Sequence, residues 1–251
     1  MKALYSLLTP KLKRSIKWTC DNHINSLYDL IFPIECVYCG EEGKWICDNC
    51  YPFLEFRSNR NCFNCHSPNA SWGLCSRCRP YYYLDKIFAA GDYKEEKINK
   101  AIKLLKYRFI KGLSPYLSDY LTSFLYHLEE GVFIKNQNVL IIPIPLHWRR
   151  ENWRGFNQSK LIASDLAAGL NITRSEQLKR IKYKKPQTQL KKLARHKNIK
   201  NSFAWKGGRL DKKIVILVDD VVTTGATMNE AARALKQNGA RKVIGLAVAS
   251  E

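Results

Sequence analysis

The sequence predicts an α/β fold, a twisted and mostly parallel sheet with helices on both faces, preceded by a small thiol-rich module. Three observations carry that expectation. Eight of the nine cysteines form four C-x2-C pairs, and all nine fall before residue 79. From Asp85 onward the thiols vanish, and short apolar runs alternate with segments of helical apolar spacing. One run, "ILVDDVVTTGAT" over residues 216–227, ends in two adjacent carboxylates followed at once by hydroxyls and a glycine.

Taken in order, residues 1–33 read as an N-terminal helical segment. Its apolar start, residues 1–8, is too short for a secretory core, and Pro10, Lys11, Lys13 and Arg14 follow without a small-residue cleavage pattern. With 45% hydrophobic and 25% charged residues the 251-residue chain is globular in composition. No run approaches the roughly 18 uninterrupted apolar residues of a membrane span, so the chain is expected to be soluble.

Residues 34–80 hold the paired thiols. Cys36 and Cys39 stand seven residues before Cys47 and Cys50, while Cys62 and Cys65 stand nine before Cys75 and Cys78. Two four-thiolate zinc sites fit this spacing, since each C-x2-C turn offers two sulfurs and two turns close a tetrahedron with no position left for water. Such sites are structural. Disulfides would need an oxidising compartment, and redox C-x2-C chemistry would need a single pair between a strand and a helix. Sequence order is the simplest pairing of the turns. Cys20 and His66 read as bystanders.

Residues 81–251 then carry the sheet. A strand is expected at 86–91, helices at 98–105 and 117–128 around a break at 112–115, and a buried strand at 138–144. A helix at 160–170, ended by Gly169 or Asn171, a strand at 213–218, a helix at 227–238 stopped by Gly239, and a strand at 242–249 complete the chain.

Asp219 and Asp220 thus lie at the carboxyl end of a parallel strand, where open α/β sheets bind ligands. The hydroxyls of Thr223, Thr224 and Thr227, with the amides of the loop and helix start, suit a phosphate. Two carboxylates repel phosphate, so they are expected to face sugar hydroxyls or Mg2+. Phosphate, ribose and metal together describe an activated sugar phosphate. A Walker-type loop is excluded by the missing Gly-Lys-Ser/Thr ending.

Charge adds a partner class. Forty-two Lys and Arg against 22 Asp and Glu leave a net charge of +20, concentrated around Lys182, Lys184, Lys185, Lys191, Lys192, Arg195, Lys197 and Lys200. An anionic partner is implied, nucleic acid or nucleotide. Arg149 and Arg154 suit anion contact, and Trp153 and Phe156 either stack on a base or fill core, with core favoured.

At these residues the chain resembles the type I phosphoribosyltransferases. Within that superfamily it is similar to the ComF/ComFC competence family, on "LYDLIFPIECVYCG", "IIPIPLHWRRENWRGFNQSKLIA", "RIKYKKPQTQLKKLARHKNIKNSFAW" and "ILVDDVVTTGATMNEAARALK". The resemblance spans nearly the whole chain and implies a type I phosphoribosyltransferase-like sheet behind a double zinc ribbon. It further implies binding of phosphoribosyl diphosphate with Mg2+. Asp219 and Asp220 would hold the ribose hydroxyls and metal, and Thr223, Thr224, Gly225, Ala226 and Thr227 the 5′-phosphate. The diphosphate would meet Pro143, Ile144, Pro145, Leu146, His147 and Trp148, with Arg149, Arg154 and Gln158 beside it. Arg180, Gln187, Arg195 and Asn198 match the family's flexible segment, a basic lid over the leaving diphosphate, with Arg180 and Arg195 in catalytic roles. That segment departs from the family at Lys184, commonly Thr, and at Ala194, commonly an acid.

Three functions follow as expectations. The first is a competence factor, cytoplasmic or held at the inner membrane through partners, that handles incoming single-stranded DNA beside proteins of the competence machinery. The second is a metabolic phosphoribosyltransferase with an acceptor that the sequence does not identify. The third is a non-catalytic sensor of phosphoribosyl diphosphate.

Overall fold

A computed structural model describes residues 33–57, 61–68, 73–128, 138–182 and 199–251. The helical segment expected over 1–33, apart from Pro33, and the basic lid with Gln187 and Arg195 lie outside these residues.

Five parallel strands form the sheet, and their order follows from how the chain crosses it. The first, β1 (Lys86–Asp92), leads to helices α1 (Glu96–Tyr107) and α2 (Ser114–His127). Next come β2 (Val139–Pro143), a short helix α3 (Trp148–Arg154), α4 (Gln158–Leu170) and β3 (Thr173–Arg174). A small antiparallel pair, β4 (Leu178–Arg180) and β5 (Phe203–Trp205), precedes β6 (Ile214–Val222), α5 (Ala226–Gln237) and β7 (Lys242–Ser250). The spatial order is β1-β7-β6-β2-β3, which puts β6 at the centre and β1 at an edge. Each long strand is apolar on both faces, as parallel strands buried between layers must be.

Alternate residues feed two cores. Phe88, Ile141, Ile216 and Leu246 face α1, α2 and α4, whereas Ile87, Ile142, Val215 and Ala247 face α5 and the β4–β5 pair. Helix α4 ends where Asn171 takes a left-handed φ of 53°, the second of the two stop positions expected. The strands and helices expected from residue 86 onward are all present, with ends moved by a few residues. The largest extension is β6, which continues past Val218 through Asp219 and Asp220 to Val222. Its neighbour β7 keeps supplying ladder partners, pairing Asp219 with Ala247 and Val222 with Ser250. Strands β3, β4 and β5 were not expected, because two or three residues are too few to show a period.

The thiol-rich modules dock on opposite faces of the β1 edge. Ile46 and Leu54 of the first enter the core under α1 and α2, while Cys62, Phe63, Leu74 and Cys78 of the second enter the core with Ile87 and α5. Between them Arg57 donates its backbone N–H to Ala90 O of β1 at 2.7 Å. An otherwise open strand edge is thereby covered. At Gly112 a side chain would collide with the Trp45 indole, so this glycine permits the close approach of the first module to the α1–α2 connection.

Candidate functional site

The site gathers at the carboxyl ends of β6 and β2, where the central strands open into loops. Asp219 and Asp220 lie within the last four residues of β6. Asp219 is partly buried and its Oδ1 accepts hydrogen bonds from Ser159 Oγ at 2.7 Å and from the Asp220 amide at 2.9 Å. Asp220 is only 4% exposed, and its Oδ1 meets Lys106 Nζ at 2.8 Å. Its other oxygen, Oδ2, is buried without a donor. Burial, and then the negative Asp220 beside it, push the Asp219 carboxyl up to about 7. Lys106 loses solvation by burial, but the attraction of Asp220 outweighs that and raises its pKa. An unpaired buried acceptor next to a strained acid pair is what a hydroxyl donor or a divalent cation relieves. Asp219 and Asp220 therefore fit a Mg2+ ion or sugar hydroxyls.

Past β6 the chain turns sharply into α5. Gly225 is the residue before the helix, with φ 72°, and a Cβ there would lie 2.8 Å from Ile87 Cδ1. Only glycine takes both the left-handed backbone and the close approach. Thr224 is buried and its Oγ1 accepts from the Ala226 amide at 3.4 Å, while Thr223 and Thr227 keep partial exposure at the loop surface. The twelve-residue α5 behind the loop adds its dipole to these amides.

A second loop follows β2. Pro143 ends the strand, Ile144 donates its amide to Val218 O at 2.9 Å, and Pro145 and Leu146 are half-buried. His147 is buried, and its Nδ1 accepts from the Arg149 amide at 3.3 Å at the start of α3. Burial, then the charges of Arg180, Arg149 and Arg150, lower its pKa and keep it neutral. Asn157 locks this loop to α4: its amide group donates to Ile144 O at 3.0 Å and accepts from Ser159 N at 3.0 Å. Buried Gln158 accepts from Arg154 Nη1 at 2.8 Å and so aims that guanidinium. The run Asn157, Gln158, Ser159 thus serves loop, cation and acid in turn.

Arg180, on β4, is partly buried, with a buried, unpartnered Nε, and its guanidinium lies 5.5 Å from the centre of the Phe203 ring. Burial and then Arg150 lower its pKa, with Asp219 acting against them. Phe156 fills core as favoured, packed edge-on against Phe109 at 5.9 Å. Trp153 does not: α3 buries none of its residues, and Trp153 stands 76% exposed. Gln187 and Arg195 lie outside the described residues. Lys106 and Ser159 escaped the sequence reading, Lys106 because it reads as one more lysine in a basic helix, Ser159 because a helical serine carries no signal of its own.

The eight thiols form two clusters in sequence order, Cys36, Cys39, Cys47, Cys50 and Cys62, Cys65, Cys75, Cys78, with the sulfurs of each within 4.8 Å of one another. Cys39 and Cys47 Sγ lie 3.6 Å apart, as do Cys65 and Cys75. That is close to the edge, roughly 3.8 Å, of a tetrahedron with about 2.3 Å metal–sulfur bonds. Burial raises the Cys36 and Cys62 thiols, but the backbone amides around each overcome it and bring both to about 6, while burial drives Cys47 up. Four thiols crowded together cannot ionise jointly unless a cation compensates them, so the clusters fit a metal such as zinc.

Comparison with known proteins agrees with this geometry. Residues 157–250 match the phosphoribosyl transferase domain family. Competence protein F of Haemophilus influenzae is 30% identical over 218 residues, 78% of this chain and 93% of that protein. The chain belongs to the competence protein F family. Other family relatives include the DNA utilization protein YhgH of Escherichia coli K12, 29% identical over 72% of this chain and 93% of its own length. Competence protein ComFC of Bacillus subtilis is 26% identical over 77% of this chain and 79% of its own length. The matched phosphoribosyl transferase region contains both acids and the Thr/Gly turn at 223–227, whereas Lys106 and the thiol clusters precede it.

Proposed function

We propose that this protein binds phosphoribosyl diphosphate with Mg2+ in the crevice above β6 and β2, and acts in competence by handling incoming single-stranded DNA. The observation that carries the first part is the pairing of a buried, donor-less Asp220 oxygen with an amide-rich turn at Gly225 one strand-end away. In this reading Asp219 and Asp220 take the ribose hydroxyls and the metal, and residues 223–227 take the 5′-phosphate. The loop from Pro143 to Trp148 meets the diphosphate, flanked by Arg149, Arg154 and Arg180. Mg2+ held by Asp219 and Asp220 would supply charge neutralisation for the diphosphate. The chain's own cations hold that group's negative charge as it leaves, and the buried acids favour the positive ribose that results. Gln187 and Arg195 complete the lid in this proposal. Zinc fills both thiol clusters as a structural ion. The domain division at residues 33 and 80, a cytoplasmic location and contact with competence proteins belong to the same reading. Among the described residues no helix is long and apolar enough to cross a membrane.

The DNA part rests on the names of the relatives and on one surface. A groove along the outer side of α1 is lined by Lys94, Asn99, Lys100, Lys103, Tyr107 and Arg108, with Glu96 as its one acid. Tyr107 in its lining is exposed, with Arg154 of α3 5.7 Å over its ring, and Phe109, Trp148 and Trp153 are exposed as well. Cations that track phosphates, interleaved with aromatic faces that stack bases, are the features of sequence-tolerant single-strand binding.

Calorimetric titration of phosphoribosyl diphosphate with Mg2+, in the presence and absence of single-stranded DNA, tests both parts. Binding is expected, and Asp219→Asn with Asp220→Asn is expected to abolish it while zinc content and fold persist. Undiminished binding by that double variant would sink the assignment of the acids. An activity that consumes phosphoribosyl diphosphate in the presence of a free base would instead favour the metabolic transferase.

A further inference from the structure

The second thiol cluster and the phosphate loop, far apart in sequence, are joined by a short path of contacts. Tyr82 leaves the cluster and donates its hydroxyl to Thr224 O at 3.1 Å, across 142 residues of chain. The next residue, Tyr83, donates its amide to Asn229 Oδ1 at 2.7 Å, in the first turn of α5. The Tyr82 ring is half-buried between the cluster and the loop. Apolar packing runs the same way. Cys62, Phe63, Leu74 and Cys78 share one core with Ile87, Met228 and Ala231. Gly225 packs its Cα against Ile87 and faces Tyr82 at 3.8 Å, measured from where a Cβ would stand. At the other end Gly73, φ 96°, presses on the Ile87 carbonyl and on Phe63, leaving no room for a side chain. The first cluster packs elsewhere, under α1 and α2, where Tyr38 donates to Lys97 O at 2.8 Å.

We propose that Tyr82 is a positioning residue for the phosphate loop, and that metal in the Cys62 cluster sets the loop's geometry through it, so that metal retention and 5′-phosphate binding are linked. The functional half rests on the reading above that this loop takes a 5′-phosphate. Thr224 lies at the turn where amides must converge, and its carbonyl accepts from a side-chain hydroxyl on the ribbon side. Losing the cluster's metal frees the tyrosine and lets the turn relax. Linkage is reciprocal, so a phosphate held by the loop must in turn slow loss of that metal.

Two measurements on the zinc-loaded full chain decide it. Amide hydrogen exchange of a peptide covering residues 223–229 is expected to rise severalfold in Tyr82→Phe, with zinc content unchanged. Zinc release to a chelator is expected to show two phases, one of which saturating ribose 5-phosphate slows by about fivefold in the native protein and hardly at all in Tyr82→Phe. The phase from the Cys36 cluster, identified with Cys36→Ser, is expected to ignore the ligand. Unchanged loop exchange in Tyr82→Phe, or a ligand effect of equal size in that variant, would overturn the proposal. If calorimetry shows that the native protein binds no ribose 5-phosphate, the ligand reading falls, while faster loop exchange in Tyr82→Phe still upholds the positioning role.

Discussion

Lys106 acquires its importance from one contact. Its side chain is 15% exposed and the Asp220 side chain 5%, so the pair at 2.8 Å is mostly withdrawn from water. Removing one member of such a pair leaves the other charge buried and uncompensated, which costs more than the pair contributes. Lys106→Met is therefore expected to destabilise the protein by about 2–4 kcal/mol in urea unfolding. Adding Asp220→Asn to that variant is expected to restore at least half of the loss, and a purely additive double variant would refute the pairing. The same residue explains how the acid pair is tolerated, since an internal ammonium offsets part of its negative charge.

Helices α2 and α4 carry a second acid pair with a different consequence. Burial, and then the charge of Asp165, raise the Asp119 carboxyl to about 6, and Asp165 is itself raised by burial although Ser114 Oγ donates to it at 2.6 Å. An unfolded aspartate loses its proton near pH 4, about two units lower. The folded state thus binds the proton more tightly, and the stability this contributes is complete below about pH 4 and lost as pH rises through 6. Asp119→Asn keeps the neutral form at every pH. It is expected to stabilise the protein by about 1–2 kcal/mol at pH 8 and by almost nothing at pH 4, read as a shift of the urea midpoint. An equal effect at both values would show that the carboxyl is not held near 6.

At the scale of the whole molecule the excess of 20 positive charges has a measurable counterpart. If the α1 groove follows a DNA backbone, each phosphate contact releases counterions. Single-stranded DNA affinity is then expected to fall by more than about tenfold between roughly 50 and 200 mM salt. Replacing Lys100 and Lys103 by alanine is expected to lower the slope of the log–log plot by about one to two. A slope that does not respond to this double replacement would move the DNA contact elsewhere, with residues 183–198 next to be tested. The two thiol modules contribute at this scale too, for they cap the β1 edge from both faces and bring Arg57 onto the sheet, where it donates to Ser250 Oγ at 2.6 Å.

Periodicity and spacing alone determined a good deal. Short apolar runs bounded by turn signals read as strands buried on both sides, four C-x2-C pairs suit two tetrahedra, and an acid pair before a Thr/Gly turn fits a strand's carboxyl end, because each is a local pattern that a few residues suffice to show. Strands as short as β3, β4 and β5 left no period to read, and Trp153 looked like core because an aromatic residue carries no sign of which way its helix faces. Which groups meet across the fold was decided by tertiary structure. Lys106 reaches Asp220 from α1, Ser159 reaches Asp219 from α4, and Tyr82 reaches Thr224 from beyond the thiol cluster. Those three contacts join residues at least 60 positions apart, and a lysine, a serine or a tyrosine takes on its role only from the neighbour that packing supplies.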